Sequence, residues 1–211
     1  MPSPSFMRLE IEEIPAATKR LLEHGRGCFV AGAAQLEVAD PDFLVTIARG
    51  SSDHAAAFLK YAVELVAGRP VASVGPSIVS IYHRKLRLRQ AAALAISQSG
   101  KSPDIVAMTE AAKAAGALTF ALSNTAGSPL AHAASSFINL EAGPEKSVAA
   151  TKSFVNSVVA GLALVAHWVE DAALLAAIEE LPQVFRAALA CEALISRDHH
   201  PGIAVIRIAE P

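Results

Sequence analysis

The stretch AAALAISQSGKSPD, from Ala91 to Asp104, decides the fold. Its six apolar residues predict a buried parallel strand, and Ser97 to Gly100 then form a short polar loop. Ser102 stands at an N-cap position, and Pro103 stands at the first position of a helix. Such a turn directs backbone N–H groups and the positive end of a helix dipole toward one point. That arrangement favours an anion, most often a phosphate.

Two other interpretations of this turn are possible. The first is that its serines only cap the following helix. The second is a nucleotide-binding P-loop, because Gly100-Lys101-Ser102 matches the end of that motif. Its first glycine would, however, fall on Ala95 inside the predicted strand, and Pro103 removes a backbone N–H directly after the serine. We therefore set the P-loop aside and weigh capping against the rest of the chain.

A second turn of the same kind occurs earlier in the chain. Phe43 to Ala48 predicts a strand, Arg49 to Asp53 predicts a small polar loop, and His54 to Ala67 predicts a helix that stops at Gly68. In parallel α/β sheets, ligands bind beyond the carboxyl ends of the strands. Both hydroxyl-rich loops are therefore expected at one edge of the sheet, which favours a shared phosphate site over simple capping.

Strands and helices alternate through the middle of the chain. This alternation predicts an α/β fold, with a doubly wound, mostly parallel five-stranded sheet and helices on both faces. The other three strands are expected at Val71–Val74, Leu118–Leu122 and Ser136–Leu140. The other helical segments are expected at Pro76–His83, Pro103–Ala115, Ser128–Ala133 and, as a long apolar helix, Ala149–Glu170.

Further helices are expected at both ends of the chain. After a leader, Met1–Phe6, the pattern predicts a helix over Met7–His24, which Pro15 could kink or restart and which ends at Gly25 and Gly27. A second helix is expected over Cys28–Asp40. Near the other end, helices are expected at Ala172–Leu181 and Val184–Ile195.

Composition excludes several classes of protein. The 211-residue chain has a formal net charge of −2 and one short basic cluster, Arg84 to Arg89, so we expect no nucleic-acid partner. Cys28 and Cys191 lie too far apart in sequence to suggest a disulfide framework and fit a reducing cytoplasm. We find no secretory signal, and the longest apolar stretch, Phe154 to Val169, is shorter than the ~20 residues of a membrane span and contains polar residues. We therefore expect no membrane partner.

Three loops together carry a resemblance to a known family. Arg49-Gly50-Ser51-Ser52 resembles a substrate loop that normally reads Cys-Gly-Thr-Ser, and Ser97 to Ser102 resembles the phosphate loop Ser-Gln-Ser-Gly-Glu-Thr. A third loop and helix start, Ala142 to Lys152, resembles A-G-P-E-x-x-V-A-[ST]-T-K. These are motifs of the sugar isomerase (SIS) domain family, which has a flavodoxin-like fold. The family includes the isomerase half of glucosamine-6-phosphate synthase and glutaminase-less deaminase-like relatives.

The resemblance implies a hexose or hexosamine phosphate as ligand, with no cofactor and no metal. The residues it implies for the phosphate are Ser97, Gln98, Ser99 and Ser102, and those for the sugar are Ser51, Ser52 and the backbone of Val148. Ala150 stands where the synthase has a sugar-contacting serine. A homodimer is also expected, and the apolar helix Ala149–Glu170 is the surface that motivates it.

The resemblance also predicts what the chain lacks. Family members have two such domains, and the second carries the catalytic Glu, His and Lys. We expect three parts: helices in 1–40, the SIS domain in 41–170, and a helical linker with a truncated or aberrant start of a second domain in 171–211. The catalytic residues are therefore unknown, and an isomerase, aminotransferase or deaminase activity is uncertain. A regulatory module that only binds the sugar phosphate, or a truncated product without activity, are the alternatives.

The histidines do not suggest a catalytic group or a metal site. None has a carboxylate at metal-ligand spacing. His54 has the best claim to a role, because it stands one turn into the helix that follows the first substrate loop and could face the ligand.

Overall fold

The computed structural model describes residues 5–190 and the short segments 194–195 and 206–207. Five short strands form one parallel sheet in the order β2-β1-β3-β4-β5. The strands are β1 (Phe43–Ile47), β2 (Val71–Ser73), β3 (Ala91–Ile96), β4 (Leu118–Ser123) and β5 (Ser136–Asn139). The predicted fold class is confirmed, and all five strands are parallel. This order reverses direction between β1 and β3, so the topological switch point lies between their carboxyl ends.

The central strand β3 explains why helices cover both faces of the sheet. All six of its residues are buried, and their side chains alternate between two apolar clusters. Leu94 and Ile96 belong to the cluster on one face, whereas Ala93 and Ala95 belong to the cluster on the other. Because these side chains are small or aliphatic and carry no polar atom, helices pack on the strand from both sides.

Eight helices surround this sheet in the range 5–190. On one face lie α2 (Ile14–Ala39), α3 (Ser51–Val66), α7 (Lys152–Trp168) and α8 (Ala172–Ala190), and α1 (Phe6–Glu12) precedes α2. On the other face lie α4 (Ser77–Ser80), α5 (Pro103–Ala114) and α6 (Pro129–Ala133). No helix in this range is both long enough and apolar enough to cross a lipid bilayer.

The prediction that Gly25 and Gly27 end the first long helix is wrong. The break comes earlier, at Glu13, and α2 then runs without interruption to Ala39. Glycine in a helix interior costs roughly 1 kcal/mol relative to alanine, which is small beside the burial of several large side chains. Leu21, Phe29 and Leu36 of α2 are all buried in the core, and this packing keeps the helix continuous.

The prediction of two separate helices around Pro182 is also wrong. One helix, α8, continues through Pro182, which is itself buried. An internal proline costs about 3 kcal/mol through a lost hydrogen bond and a steric clash. Ile178 is buried in the core, and Leu181 and Phe185 pack against it on either side of the proline, which offsets that cost. The expected helical end at Ile195 is wrong as well, because Leu194–Ile195 (β6) pair antiparallel with Ile206–Arg207 (β7).

Helix α7 is part of the core rather than a surface for self-association. Eleven of its residues are buried, and the helix packs against both α2 and α3. Its buried Asn156 is fully bonded: Nδ2 donates to the carbonyl oxygens of Ala17 (3.1 Å) and Leu140 (2.7 Å), and Oδ1 accepts from the hydroxyl of Thr18 (3.0 Å). The apolar surface that motivated the expected homodimer is therefore not supplied by this helix.

Candidate functional site

An open cleft of about 260 Å³ lies at the switch point between β1 and β3. All seven residues singled out from the sequence line it: Ser51, Ser52, Ser97, Gln98, Ser99, Ser102 and Val148. The cleft is also lined by Arg49, Glu145, Ser147 and Ala150. Its walls come from the loops after β1 and β3 and from the loop that precedes α7. These are the three loops whose motifs were recognised separately in the sequence.

The Ser97–Ser102 loop closes into a tight turn through its own hydroxyls. The Ser97 hydroxyl accepts a hydrogen bond from the Gly100 N–H (3.2 Å), and the Ser99 hydroxyl accepts one from the Lys101 N–H (3.3 Å). Gly100 has φ 63°, and a Cβ there would lie only 2.3 Å from the Ser128 Oγ and 2.7 Å from the Ser123 Oγ. Only glycine fits this position, because its backbone conformation is left-handed and the side chains of Ser123 and Ser128 lie too close for a Cβ.

The β4 side of the structure holds the carbonyl groups of this loop. The carbonyl oxygen of Gln98 accepts hydrogen bonds from the Asn124 N–H (3.0 Å) and the Ser123 hydroxyl (3.3 Å), and that of Gly100 accepts one from the Leu130 N–H (3.0 Å). The N–H groups of Gln98 and Ser99 have no acceptor among the described residues. Backbone donors without partners at the edge of a cleft are suited to binding an anion.

Ser102 occupies the N-cap position of α5 but does not cap the helix. Its side chain accepts no hydrogen bond from the first turn, although it lines the cleft. Ser128, at the start of α6, shows the ordinary behaviour, since its hydroxyl accepts from the Ala131 N–H (3.3 Å). Ser51 and Ser52, in the first turn of α3, likewise have no hydroxyl partner among the described residues. Simple capping therefore does not account for these three serines.

Arg49 and Gly50 connect β1 to the cleft. Gly50 has φ 57° and serves as the N-cap of α3, which therefore begins at Ser51, three residues earlier than expected. Arg49 forms an ion pair across the switch point, with Nη1 2.5 Å from Oδ2 of Asp104 in the first turn of α5. The two turns that flank the cleft are thus linked by a side-chain contact.

Glu145 fixes the start of α7. One of its carboxylate oxygens accepts hydrogen bonds from the Thr151 N–H (2.9 Å), the Thr151 hydroxyl (3.0 Å) and the Ser153 N–H (3.2 Å), and the other accepts from the Ser153 hydroxyl. A carboxylate at a helix N-terminus is stabilised by the free N–H groups and by the helix dipole. Its position in the cleft wall is therefore explained by capping.

Two glutamates near the N-terminus, Glu10 and Glu13, also bind the loop before α7 and the first residue of that helix. The Glu10 carboxylate accepts from the N–H groups of Lys146 and Ser147 and from the Ser147 hydroxyl. These contacts, first of all the Lys146 N–H, lower the pKa of Glu10. Lys152, whose side chain is buried, pairs with Glu13. Glu10 and Glu13 therefore anchor the wall of the cleft that carries Ser147 and Val148.

The structure does not place every candidate at the cleft. His54 is exposed and is not among the lining residues, so the expectation that it faces the ligand is wrong. Sequence reasoning missed the roles of Arg49 and Ser147, although both lie inside motifs that were recognised. It had no signal for Glu10, which lies 136 residues from Lys146. Among the residues described, no group of three or more His, Cys, Asp or Glu is placed to hold a metal ion.

A parallel sheet of this order, with three hydroxyl-rich loops around its switch point, places the chain in the class of doubly wound, flavodoxin-like α/β domains. The model of the SIS domain family matches residues 37–167, which is well over half of the chain. This chain therefore belongs to the SIS domain family.

Individual relatives share this family. Glutamine–fructose-6-phosphate aminotransferase [isomerizing] of Symbiobacterium thermophilum is 31% identical over 90% of this chain, and that of Clostridium perfringens is 30% identical over 87%. This chain covers 34% and 31% of these two proteins, so it spans about a third of their length.

Solved structures show the same fold. A Silicibacter pomeroyi protein described as a phosphosugar isomerase superposes with a TM-score of 0.86, at 56% identity over 88% of this chain and 57% of its own. The C-terminal domain of glucosamine-fructose-6-phosphate aminotransferase from Francisella tularensis superposes with a TM-score of 0.72, at 20% identity over 89% of this chain and 55% of its own.

Proposed function

We propose that this chain binds a hexose 6-phosphate or hexosamine 6-phosphate in the cleft at the switch point. The observation that carries the proposal is the state of the cleft's hydrogen-bond donors. The Ser51, Ser52 and Ser102 hydroxyls and the Gln98 and Ser99 N–H groups lack partners among the described residues, and they line or border one small cleft. A polar cleft of this kind is suited to a phosphate and the hydroxyls of a sugar.

Within the cleft we assign the phosphate to the loop after β3. Ser97, Gln98, Ser99 and Ser102 lie there, beside the N-terminus of α5, where backbone donors and the helix dipole favour a dianion. The sugar is then assigned to Ser51, Ser52 and the backbone of Val148 on the surrounding walls. The family and the fructose 6-phosphate in the names of the relatives support a phosphosugar over other anions.

For a protein that combines this domain with a catalytic second domain, we propose the chemistry of an isomerase or deaminase of amino-sugar metabolism. In that chemistry a side chain moves a proton between C1 and C2 of the opened sugar. Among the described residues that line the cleft, no carboxylate or imidazole is free to carry this proton. Glu145, the only carboxylate among the described residues that line the cleft, is committed to the N-terminus of α7. We therefore propose that the 211-residue chain binds its ligand without turnover. Binding without catalysis is also what a sugar-phosphate-sensing module would do.

The proposal is tested by calorimetry with glucosamine 6-phosphate and fructose 6-phosphate. Ser99→Ala and Ser102→Ala should each weaken binding by roughly 1–2 kcal/mol, the size of a lost hydrogen bond to a charged group. Ser136→Ala is the matched control, because Ser136 starts the edge strand β5, is not a lining residue of the cleft, and donates its hydroxyl to Gln35. Unchanged affinity in both cleft variants would remove this site. Ammonia and sugar-interconversion assays should show no turnover, and robust turnover that Glu145→Gln abolishes would contradict the second part.

Two further parts of the proposal concern the state of the protein. We propose a homodimer that forms through a surface other than α7. We also propose a cytoplasmic location, supported by the widely separated cysteines and by relatives that act on a phosphorylated metabolite.

A further inference from the structure

Arg49 is the only cationic residue among the described residues that line the cleft. It lies two residues after the end of β1, at the position where the family motif that this loop resembles has a cysteine. Its side chain is 68% exposed, and among the described residues its one partner is Asp104, through Nη1. A guanidinium has five N–H donors in a planar fork, so most of them remain available in this structure.

Asp104 determines where this guanidinium lies. The carboxylate is only 17% exposed and belongs to the first turn of α5, two residues after Ser102. An ion pair between these residues therefore draws the arginine head from the β1 loop to the N-terminus of α5. That is the same helix end where the phosphate has been assigned. A cation held there can bind the phosphate without breaking its contact with Asp104.

The charges in the cleft leave no competing partner for Arg49. The other charged lining residue, Glu145, has both carboxylate oxygens engaged by Thr151 and Ser153. The remaining lining side chains are neutral. Among the described residues, a phosphate in the cleft would therefore face one side-chain cation and several neutral donors.

We propose that Arg49 binds the phosphate and selects phosphorylated over neutral sugars, and that Asp104 is the positioning residue that holds it. This inference rests on the proposed function, since it assigns a second contact to the same ligand. Charge-assisted bonds from a guanidinium are stronger than those from neutral donors. The competing explanation is an ordinary surface ion pair, which contributes little.

The test compares four variants by calorimetry with glucosamine 6-phosphate and with inorganic phosphate. Arg49→Gln should weaken binding of both at least tenfold, as expected for a lost bond to a charged group. Arg49→Lys should lose less, because it keeps the charge but not the planar fork. Asp104→Asn should weaken binding by a smaller factor. Arg84→Gln is the matched control, because Arg84 is also exposed but is not a lining residue of the cleft. The affinity of this variant for both ligands should change less than twofold.

Two further measurements separate the possible outcomes. The effect of Asp104→Asn should vanish in an Arg49→Gln background, because a positioning residue acts through the residue it positions. Rising salt concentration should lower the phosphosugar affinity of the wild-type protein more than that of the Arg49→Gln variant. Unchanged affinity in Arg49→Gln, with Ser99→Ala still weakened, would overturn this inference and leave the proposed function intact. A wild-type chain that binds no phosphosugar would overturn both, and an equal effect of Asp104→Asn in the two backgrounds would overturn the positioning role.

Discussion

Gly100 shows how much of the cleft depends on a single residue. Its φ of 63° and its closeness to the hydroxyls of Ser123 and Ser128 leave no space for a side chain. A Cβ would push the Ser97–Ser102 loop away from β4, which holds its carbonyl groups. The backbone N–H groups proposed for the phosphate would then shift together with the loop.

We therefore expect Gly100→Ala to lower the free energy of unfolding by roughly 1–3 kcal/mol, the cost of a non-glycine residue held in a disfavoured conformation. Phosphosugar affinity should fall as well. The matched control is Gly27→Ala in α2, where a new Cβ meets nothing within 4 Å and should stabilise the helix slightly. Urea unfolding of the three proteins gives the comparison. A Gly100→Ala protein as stable as the wild type would contradict the geometry described for this loop.

The N-terminal helix α1 matters to the cleft because of Glu10. Three donors from Lys146 and Ser147 converge on its buried carboxylate, and they lower the pKa of Glu10. A carboxyl group whose pKa is lowered in the folded state stabilises the fold at any pH above the pKa that it has in the unfolded chain, near 4.5. That contribution is lost as the pH falls through the folded pKa. The loop should therefore remain anchored at neutral pH and detach in acid.

Glu10→Gln should loosen the same loop at neutral pH. The neutral amide accepts weaker hydrogen bonds, so we expect faster tryptic cleavage after Lys146 and a several-fold loss of phosphosugar affinity. Glu12→Gln is the control, because Glu12 is exposed and, among the described residues, pairs with Arg8 alone. Limited proteolysis at fixed pH measures the first effect. Equal cleavage rates in the two variants would show that Glu10 does not hold the loop.

The elements also show which features a sequence can predict. The strands and the turns after β1 and β3 follow from local patterns, such as six apolar residues followed by Ser-Gln-Ser-Gly, and these predictions are confirmed for the sheet. The continuity of α2 and α8 does not follow from local patterns, since Gly25 and Pro182 are local signals for breaks. Burial of Phe29 and Ile178 in the core overrides them. Glu10 could not be found from the sequence because its partners are distant along the chain.

At the scale of the whole molecule, α3 carries an apolar surface that the described residues leave uncovered. Phe58, Tyr61 and Leu65 are 51%, 66% and 83% exposed. Their spacing of three and four residues places them on one face of the helix, beside His54. Clustered apolar side chains on a protein surface often mark an interface.

We expect this α3 face, rather than α7, to form the proposed homodimer. Light scattering at micromolar concentration should give twice the mass of the chain, and Tyr61→Asp with Leu65→Asp should give a monomer. Val38→Asp is the control, because Val38 is 89% exposed but lies on α2, away from this face. A wild-type protein that is monomeric under these conditions would refute the dimer, and a dimer that survives both substitutions would refute the surface.

The central claim is that a phosphosugar binds at the switch point with its phosphate on the Ser97–Ser102 loop. A crystal structure of the chain with glucosamine 6-phosphate tests it most directly. We predict phosphate oxygens within about 3 Å of the Ser99 N–H and of the Ser102 hydroxyl, with the sugar toward Ser51 and Ser52. A phosphate bound elsewhere, for example on the basic segment 84–89 with the cleft left open, would contradict the account.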